Sequence, residues 1–320
     1  MLARHAEHLF WAGRYIERAE DTARILDVTY HGLLEASPME AARAWADVLD
    51  VLRLSGDFAA LTSGIDAVSV SQFLVCDADN PGSIISAVAR ARENLRAVRE
   101  LITTELWEAV NRFHLDLRDR NLRADIETEP YQLYALVKRR AQLVAGAASE
   151  TMPRDDCWRF LQLGWMLERA EMTCRLLAVR YADEHAVGFH HWLGTLKSAS
   201  ASEAYRRAYR GSMEPADVLE FLLLSPRFPR SVLYCVRRVE NDLATLSRVD
   251  GQLSRPERLL GRIRADLEYR DVTDVLSDGV PVFLDRLQRG VRQVADAVAL
   301  EYFRSSQELD LHALDLVTAR

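Results

Sequence analysis

The amino-acid sequence predicts an all-α fold, a helical bundle built from two similar halves packed into one body. Three observations predict it. Glycine (14) and proline (9) are scarce in 320 residues while alanine, leucine, arginine and glutamate are abundant, a balance that favours helices. Apolar residues recur at helical spacing through most of the chain, and no segment longer than four residues alternates as a half-buried strand does. A twelve-residue pattern, Gly-x-x-x-Glu-Arg-Ala-Glu-x-Thr-x-Arg, is written twice, as "GRYIERAEDTAR" at 13–24 and "GWMLERAEMTCR" at 164–175.

The periodicity predicts long helices over 4–35, 38–54, 83–112, 131–150, 155–187, 229–248 and 281–305, with shorter ones over 68–76, 201–209, 214–224 and 253–268. Ser37-Pro38 opens the second with a capping serine and a proline at the first helical position. Ser83, following Asn80-Pro81-Gly82, caps the third. The polar, charge-mixed stretches 115–130 and 198–215 read as connectors. Phe189-His190-His191-Trp192 has no neighbouring acid or cysteine and reads as a helix end rather than a metal site.

Alignment of 10–30 with 161–181 gives ten identities in 21 positions, running from Gly13 and Gly164 to Tyr30 and Tyr181. Farther along the agreement is weaker but ordered. Pro81, Ser83, Val88, Arg90 and Leu95 fall opposite Pro229, Ser231, Val236, Arg238 and Leu243. The predicted division is therefore a first helical half at 1–150 and a second at 151–320, each leaving an apolar face that the other covers.

At about 100° per residue, Phe10, Gly13, Glu17, Glu20 and Arg24 share one helical stripe, and Leu161, Gly164, Glu168, Glu171 and Arg175 share its equivalent. A glycine inside a helix costs about 1 kcal/mol relative to alanine. Close approach of another backbone or a ligand is a return for that cost. The second copy is apolar in nearly every direction, so its helix is predicted to be buried. A buried unpaired charge costs several kcal/mol, so Glu168, Arg169, Glu171 and Arg175 need partners. Two equivalent helices crossing near their glycines, Glu of one facing Arg of the other, satisfy them. Two readings stay open for these charges: a buried ion-pair staple that docks the halves, or a ligand or catalytic site. The staple is favoured for Glu168 and Arg169, taken as a structural pair. Function is favoured for Glu17 and Arg18, whose helix is expected to have a wetter flank at Arg14 and Asp21. In 83–111, Arg92, Arg96 and Arg99 are read as one face. They either bind phosphate or carboxylate, neutralise Glu17 and Glu20, or form a solvated surface.

Other classes are disfavoured. A net charge of −7 does not suit nucleic acid or an anionic membrane. No run of eighteen apolar residues suggests a membrane span, and the N-terminus lacks the apolar core of a signal peptide. The four cysteines, Cys76, Cys157, Cys174 and Cys235, form no C-x-x-C pair and read as reduced, mostly buried thiols of a cytoplasmic protein. Paired glutamates on facing helices suggest a di-metal bundle, but that architecture needs Glu-x-x-His pairs, which the chain lacks. No metal and no cofactor is expected. There is no Gly-rich phosphate loop, G-x-S-x-G or H-E-x-x-H.

Together, "FWAGRYIERAEDTARIL", "NPGSIISAVARARENLRAVRE" and "PRSVLYCV" resemble the bacterial alpha-E family, an all-helical domain with a Glu-Arg motif. The motif falls on Glu17-Arg18 and, in the repeat, on Glu168-Arg169. Genes of this family typically neighbour, or are fused to, circularly permuted ATP-grasp proteins, with transglutaminase-like proteins nearby. The resemblance thus implies a helical accessory subunit of an ATP-grasp-type ligase system acting on peptide-like amide bonds, more a partner than an enzyme. Beside it stand two alternatives. One is an enzyme in its own right, with Glu17, Glu20, Glu168 and Glu171 as acid–base groups and Arg92 and Arg96 holding an anion. The other is a purely structural assembly module.

Overall fold

The computed structural model describes residues 1–34, 36–62, 64–182, 189–211, 213–246 and 252–303. Every regular element among them is helical. In order they are α1 (Ala3–Gly32), α2 (Pro38–Leu52), α3 (Ser55–Ala59), α4 (Ala67–Val75), α5 (Ile84–Ala97), α6 (Thr104–Arg118), α7 (Leu122–Thr128) and α8 (Pro130–Thr151). There follow α9 (Asp156–Ala182), α10 (Phe189–Ser198), α11 (Ser202–Ala208), α12 (Pro215–Leu224), α13 (Val232–Leu246), α14 (Arg255–Glu268), α15 (Val272–Asp278) and α16 (Val280–Tyr302). Residues 183–187, 247–248 and 304–305 of the expected helices lie outside the described residues.

Local chemistry explains the boundaries. Ser37 and Glu40 close a capping box at the start of α2, with Pro38 at its first position. Ser83 caps α5 by accepting from Ser86 N–H. The helix expected over 83–112 is broken. After α5 a turn of 3-10 helix runs from Arg99 to Leu101, Ile102 is extended, and Thr103 caps α6 by accepting from Leu106 N–H. Ile102, Thr103 and Thr104 are β-branched, which weakens helix propensity, and threonine favours a cap over a helix interior. The expected connector at 115–130 is also largely helical: α6 reaches Arg118, and Asn121 caps α7, whose Leu122 and Ile126 are buried one turn apart. Phe189-His190-His191-Trp192 opens α10, and the buried Trp192 packs against Tyr181 with ring centroids 5.1 Å apart.

α1 and α9 form the most extensive helix–helix contact among the described residues. α1 also packs on α5 and α8, while α9 packs on α13 and α16. The remaining helices lie farther out, α6 and α7 against α8, α14 and α15 against α16. One apolar core runs through all of them, with Phe10, Ile16, Leu26, Phe113, Tyr134 and Phe283 essentially excluded from solvent. Cys157, Cys174 and Cys235 are buried, Cys76 is half-buried, and all four are free. Burial pushes the Cys235 thiol up to about 12, so it stays protonated and unreactive at neutral pH. None of the described helices is long and apolar enough to cross a membrane.

Candidate functional site at the crossing of the Glu-Arg helices

The helices cross backbone to backbone. A Cβ placed on Gly13 would lie 2.2 Å from the Leu161 carbonyl oxygen, and one on Gly164 would lie 2.0 Å from that of Phe10. Glycine is the only residue that permits this approach at either position. The close contact puts residues one and two turns farther along each helix within reach of the other helix.

The eight motif residues Glu17, Arg18, Glu20, Arg24, Glu168, Arg169, Glu171 and Arg175 come together there. Arg169 of α9 donates from Nε and Nη2 to the two carboxylate oxygens of Glu17, at 2.6 and 2.8 Å. Reciprocally, Arg18 of α1 donates from Nε and Nη2 to Glu168, at 2.7 and 3.1 Å. Arg24 bridges back to Glu20, and Arg175 to Glu171, each one turn away along its own helix. Glu168 and Arg169 are therefore not each other's partners. Adjacent on α9, they reach different residues of α1, about 100° apart on the wheel.

Three further residues complete the network. Arg14 donates to Glu168 Oε2 at 2.5 Å and to Glu171 Oε2 at 2.8 Å. Arg230, in the turn before α13, donates to Glu17, Asp21 and Glu20 at 2.9, 2.6 and 3.0 Å. The flank at Arg14 and Asp21, expected to be wetter, is buried at 8% and 3% exposure. α9 and the turn carrying Arg230 supply its partners. Sequence reasoning did not single out Arg230, although it stands inside the "PRSVLYCV" segment. Its partners are more than 200 residues away, and no local pattern announces such a pair.

Arg92, Arg96 and Arg99 lie apart from the crossing. Arg92 donates to Asn111 at 2.7 Å and to Glu93 at 2.5 Å, and Arg96 donates to Glu93 at 2.8 Å. Arg99 lies in the turn after α5 and donates to Thr104. Arg92 and Arg99 both sit over the Trp107 ring, 5.5 and 5.9 Å from its centroid.

Electrostatics follow the geometry. Burial alone would raise the Glu168 carboxyl, but Arg14 and Arg18 hold it well below the usual carboxylate range. Arg169 and Arg230 overcome burial in the same way at Glu17. Carboxylates held this low are poor proton acceptors. Asp21 differs: burial, with Glu17 and Glu20 beside it, pushes it up to about 7 against the pull of Arg230. No group of three His, Cys, Asp or Glu side chains is arranged to hold a metal ion among the described residues.

The raised Asp21 carries a pH prediction. The folded state binds more protons than the unfolded one between the ordinary aspartate value, about 4, and the folded value of about 7, so stability falls as pH rises through that window. Glu17 and Glu168 act oppositely, their contribution being present at neutral pH and lost only in acid. Asp21→Asn is therefore expected to remove a slope of up to ~1.4 kcal/mol per pH unit. Urea melts of both chains at pH 5.5 and pH 8 measure it. A stability difference between the two chains that is the same at both pH values would count against the assignment.

The geometry defines a class: an all-helical domain whose two longest helices cross at glycines and are clamped by a buried Glu-Arg network. The chain belongs to the Alpha-E family, described as a predicted alpha-helical domain with a conserved ER motif, which matches residues 1–303. It is similar to an uncharacterized protein of Mycobacterium bovis, at 29% identity over 91% of this chain. Uncharacterized proteins of two Mycobacterium tuberculosis strains match at 29% and 28% identity, over the same 91% of this chain. The chain spans only 36% of the length of each of these relatives. No solved structure matches it.

Proposed function

We propose that this chain is the helical accessory module of an ATP-grasp-type ligase system that makes or modifies peptide-like amide bonds, and that its Glu-Arg motif is a structural clamp rather than a catalytic centre. The observation that carries the clamp reading is the reciprocal, bidentate pairing of Glu17 with Arg169 and of Glu168 with Arg18, both carboxylates being almost wholly buried. Carboxylates spent on buried guanidiniums in this way are not free to act as acid–base groups on a substrate. The tie to an ATP-grasp protein rests on the sequence resemblance. The greater length of the mycobacterial relatives is in keeping with a module that works alongside other domains. We also read 1–150 and 151–320 as two copies of one helical unit, supported by the repeated motif and the reciprocal pairs.

The test is co-purification with a circularly permuted ATP-grasp protein of the kind the resemblance implies as partner, followed by ATP turnover with and without this chain. A stable complex and at least a several-fold change in ATP turnover are expected. Separate elution together with unchanged turnover would overturn the reading. A transglutaminase-like protein is a second bait for the same assay.

A further inference from the structure

The two sides of the α1–α9 crossing are filled differently. On one side Arg230 occupies the space beside Glu17, Glu20 and Asp21, and its carbonyl accepts from Thr173 Oγ1 at 2.9 Å. The alignment of the halves sets Gly82 opposite Arg230, Thr22 opposite Thr173 and Met172 opposite Asp21. The two turns are built alike: Ser83 N–H donates to the Asn80 carbonyl at 3.1 Å, and Ser231 N–H to that of Phe228 at 3.0 Å. Because Gly82 carries no side chain, a cavity of about 240 Å³ remains on its side, lined in part by Arg18, Thr22, Gly82, Arg90, Met172 and Arg175.

Its polar side chains are the guanidiniums of Arg18, Arg90 and Arg175 and the Thr22 hydroxyl. Among the described residues no carboxylate lines it. Around it, two carboxylates, Glu168 and Glu171, are set against four guanidiniums, those of Arg14, Arg18, Arg90 and Arg175. On the opposite side Glu17, Glu20 and Asp21 are set against three, those of Arg24, Arg169 and Arg230. Thr22 is 1% exposed, and its hydroxyl has no hydrogen-bond partner among the described residues; neither has Arg175 Nε. Arg18 and Arg90 both sit on the Tyr15 ring, 5.8 and 5.9 Å from its centroid, which fixes their guanidiniums beside the cavity. Among the described residues Arg90 makes no ion pair, donating only to the Pro81 carbonyl.

We propose that this cavity binds a phosphate group, free or as a small phosphomonoester. Planar guanidinium donors match phosphate oxygens, and the unpartnered Thr22 hydroxyl supplies one more donor. The volume is roughly eight times the ~30 Å³ share of a water molecule in liquid, which leaves room for a short organic tail. The proposal stands apart from the accessory reading, since no partner protein enters its test. Calorimetric titration of the full chain with inorganic phosphate, glycerol 3-phosphate and succinate, at matched ionic strength, provides that test. Phosphate is expected to bind saturably and succinate at least tenfold more weakly. Tighter binding of glycerol 3-phosphate than of phosphate would support a monoester, and equal binding would support free phosphate. Arg90→Gln, at an exposed position, is expected to weaken phosphate binding about tenfold or more. Gly82→Arg, whose Cβ would lie a tight 3.2 Å from Asn80 Oδ1 and 3.3 Å from Leu54 Cδ1, both side-chain atoms that can shift, is expected to fill the cavity and abolish binding. Arg112→Gln, at an exposed position on α6, is expected to change nothing. Absence of saturable phosphate binding, equal binding of succinate, or equal loss in Arg90→Gln and Arg112→Gln would overturn the proposal.

Discussion

Gly164→Ala is expected to lower folding stability by about 3 kcal/mol or more, at or beyond the upper end of what overpacking usually costs. The added methyl would lie 2.0 Å from the Phe10 carbonyl oxygen and 3.0 Å from Arg14 N, both backbone atoms that no rotamer change can move aside. α1 and α9 would have to separate, stretching the ion pairs of Arg14 and Arg18 with Glu168 at the same time. Gly13→Ala should behave alike, its methyl lying 2.2 Å from the Leu161 carbonyl oxygen. Gly146→Ala in α8 is the control, because nothing lies within 4 Å of the new methyl. There the helix-propensity gain of up to ~1 kcal/mol should stand alone and raise stability. Chemical melts of the three variants measure these effects. An unchanged midpoint for Gly164→Ala would show that the helices do not touch at that point.

Glu168→Gln is expected to cost about 3–5 kcal/mol, a large part of a typical folding free energy. On thermal melts this corresponds to a fall on the order of 10 °C. The cost arises because Glu168 is 1% exposed and serves two guanidiniums. Arg14 keeps Glu171, but Arg18 is left without a carboxylate. Removing that orphan as well, in Glu168→Gln with Arg18→Met, should recover part of the loss. Arg169→Met added to Glu168→Gln should recover none, because Arg169 serves Glu17 and its removal leaves that buried carboxylate with Arg230. The comparison of the two double variants separates a clamp from a site. A near-normal melt for Glu168→Gln would refute the clamp and return Glu168 to the list of catalytic candidates.

The helical class and the crossing of α1 and α9 were legible because they rest on local properties. Apolar spacing repeats every few residues. A glycine inside a strongly charged helix is costly wherever it occurs, so Gly13 and Gly164 mark a close approach before any partner is known. The helix break before Thr103 was legible in principle too, from three consecutive β-branched residues, but the charge pattern of 83–111 runs straight across it and hides the boundary.

The partners of the charges were not legible. Glu168 and Arg169 are neighbours in the chain, yet the 100° between them on α9 sends one to Arg14 and Arg18 and the other to Glu17. Arg14 and Asp21 look like a solvated flank on an isolated helix and are buried once α9 and the Arg230 turn pack over them. Arg230 and Glu17 lie 213 residues apart, and the Gly82 cavity exists because the turn opposite Arg230 carries no side chain. The sequence by itself determined the helical class, where two helices meet and that the charges of the repeated motif need partners, since spacing and burial cost act within a few turns. Only the tertiary structure decided which guanidinium neutralises which carboxylate and where donors are left over, because that depends on the packing of segments far apart in the chain.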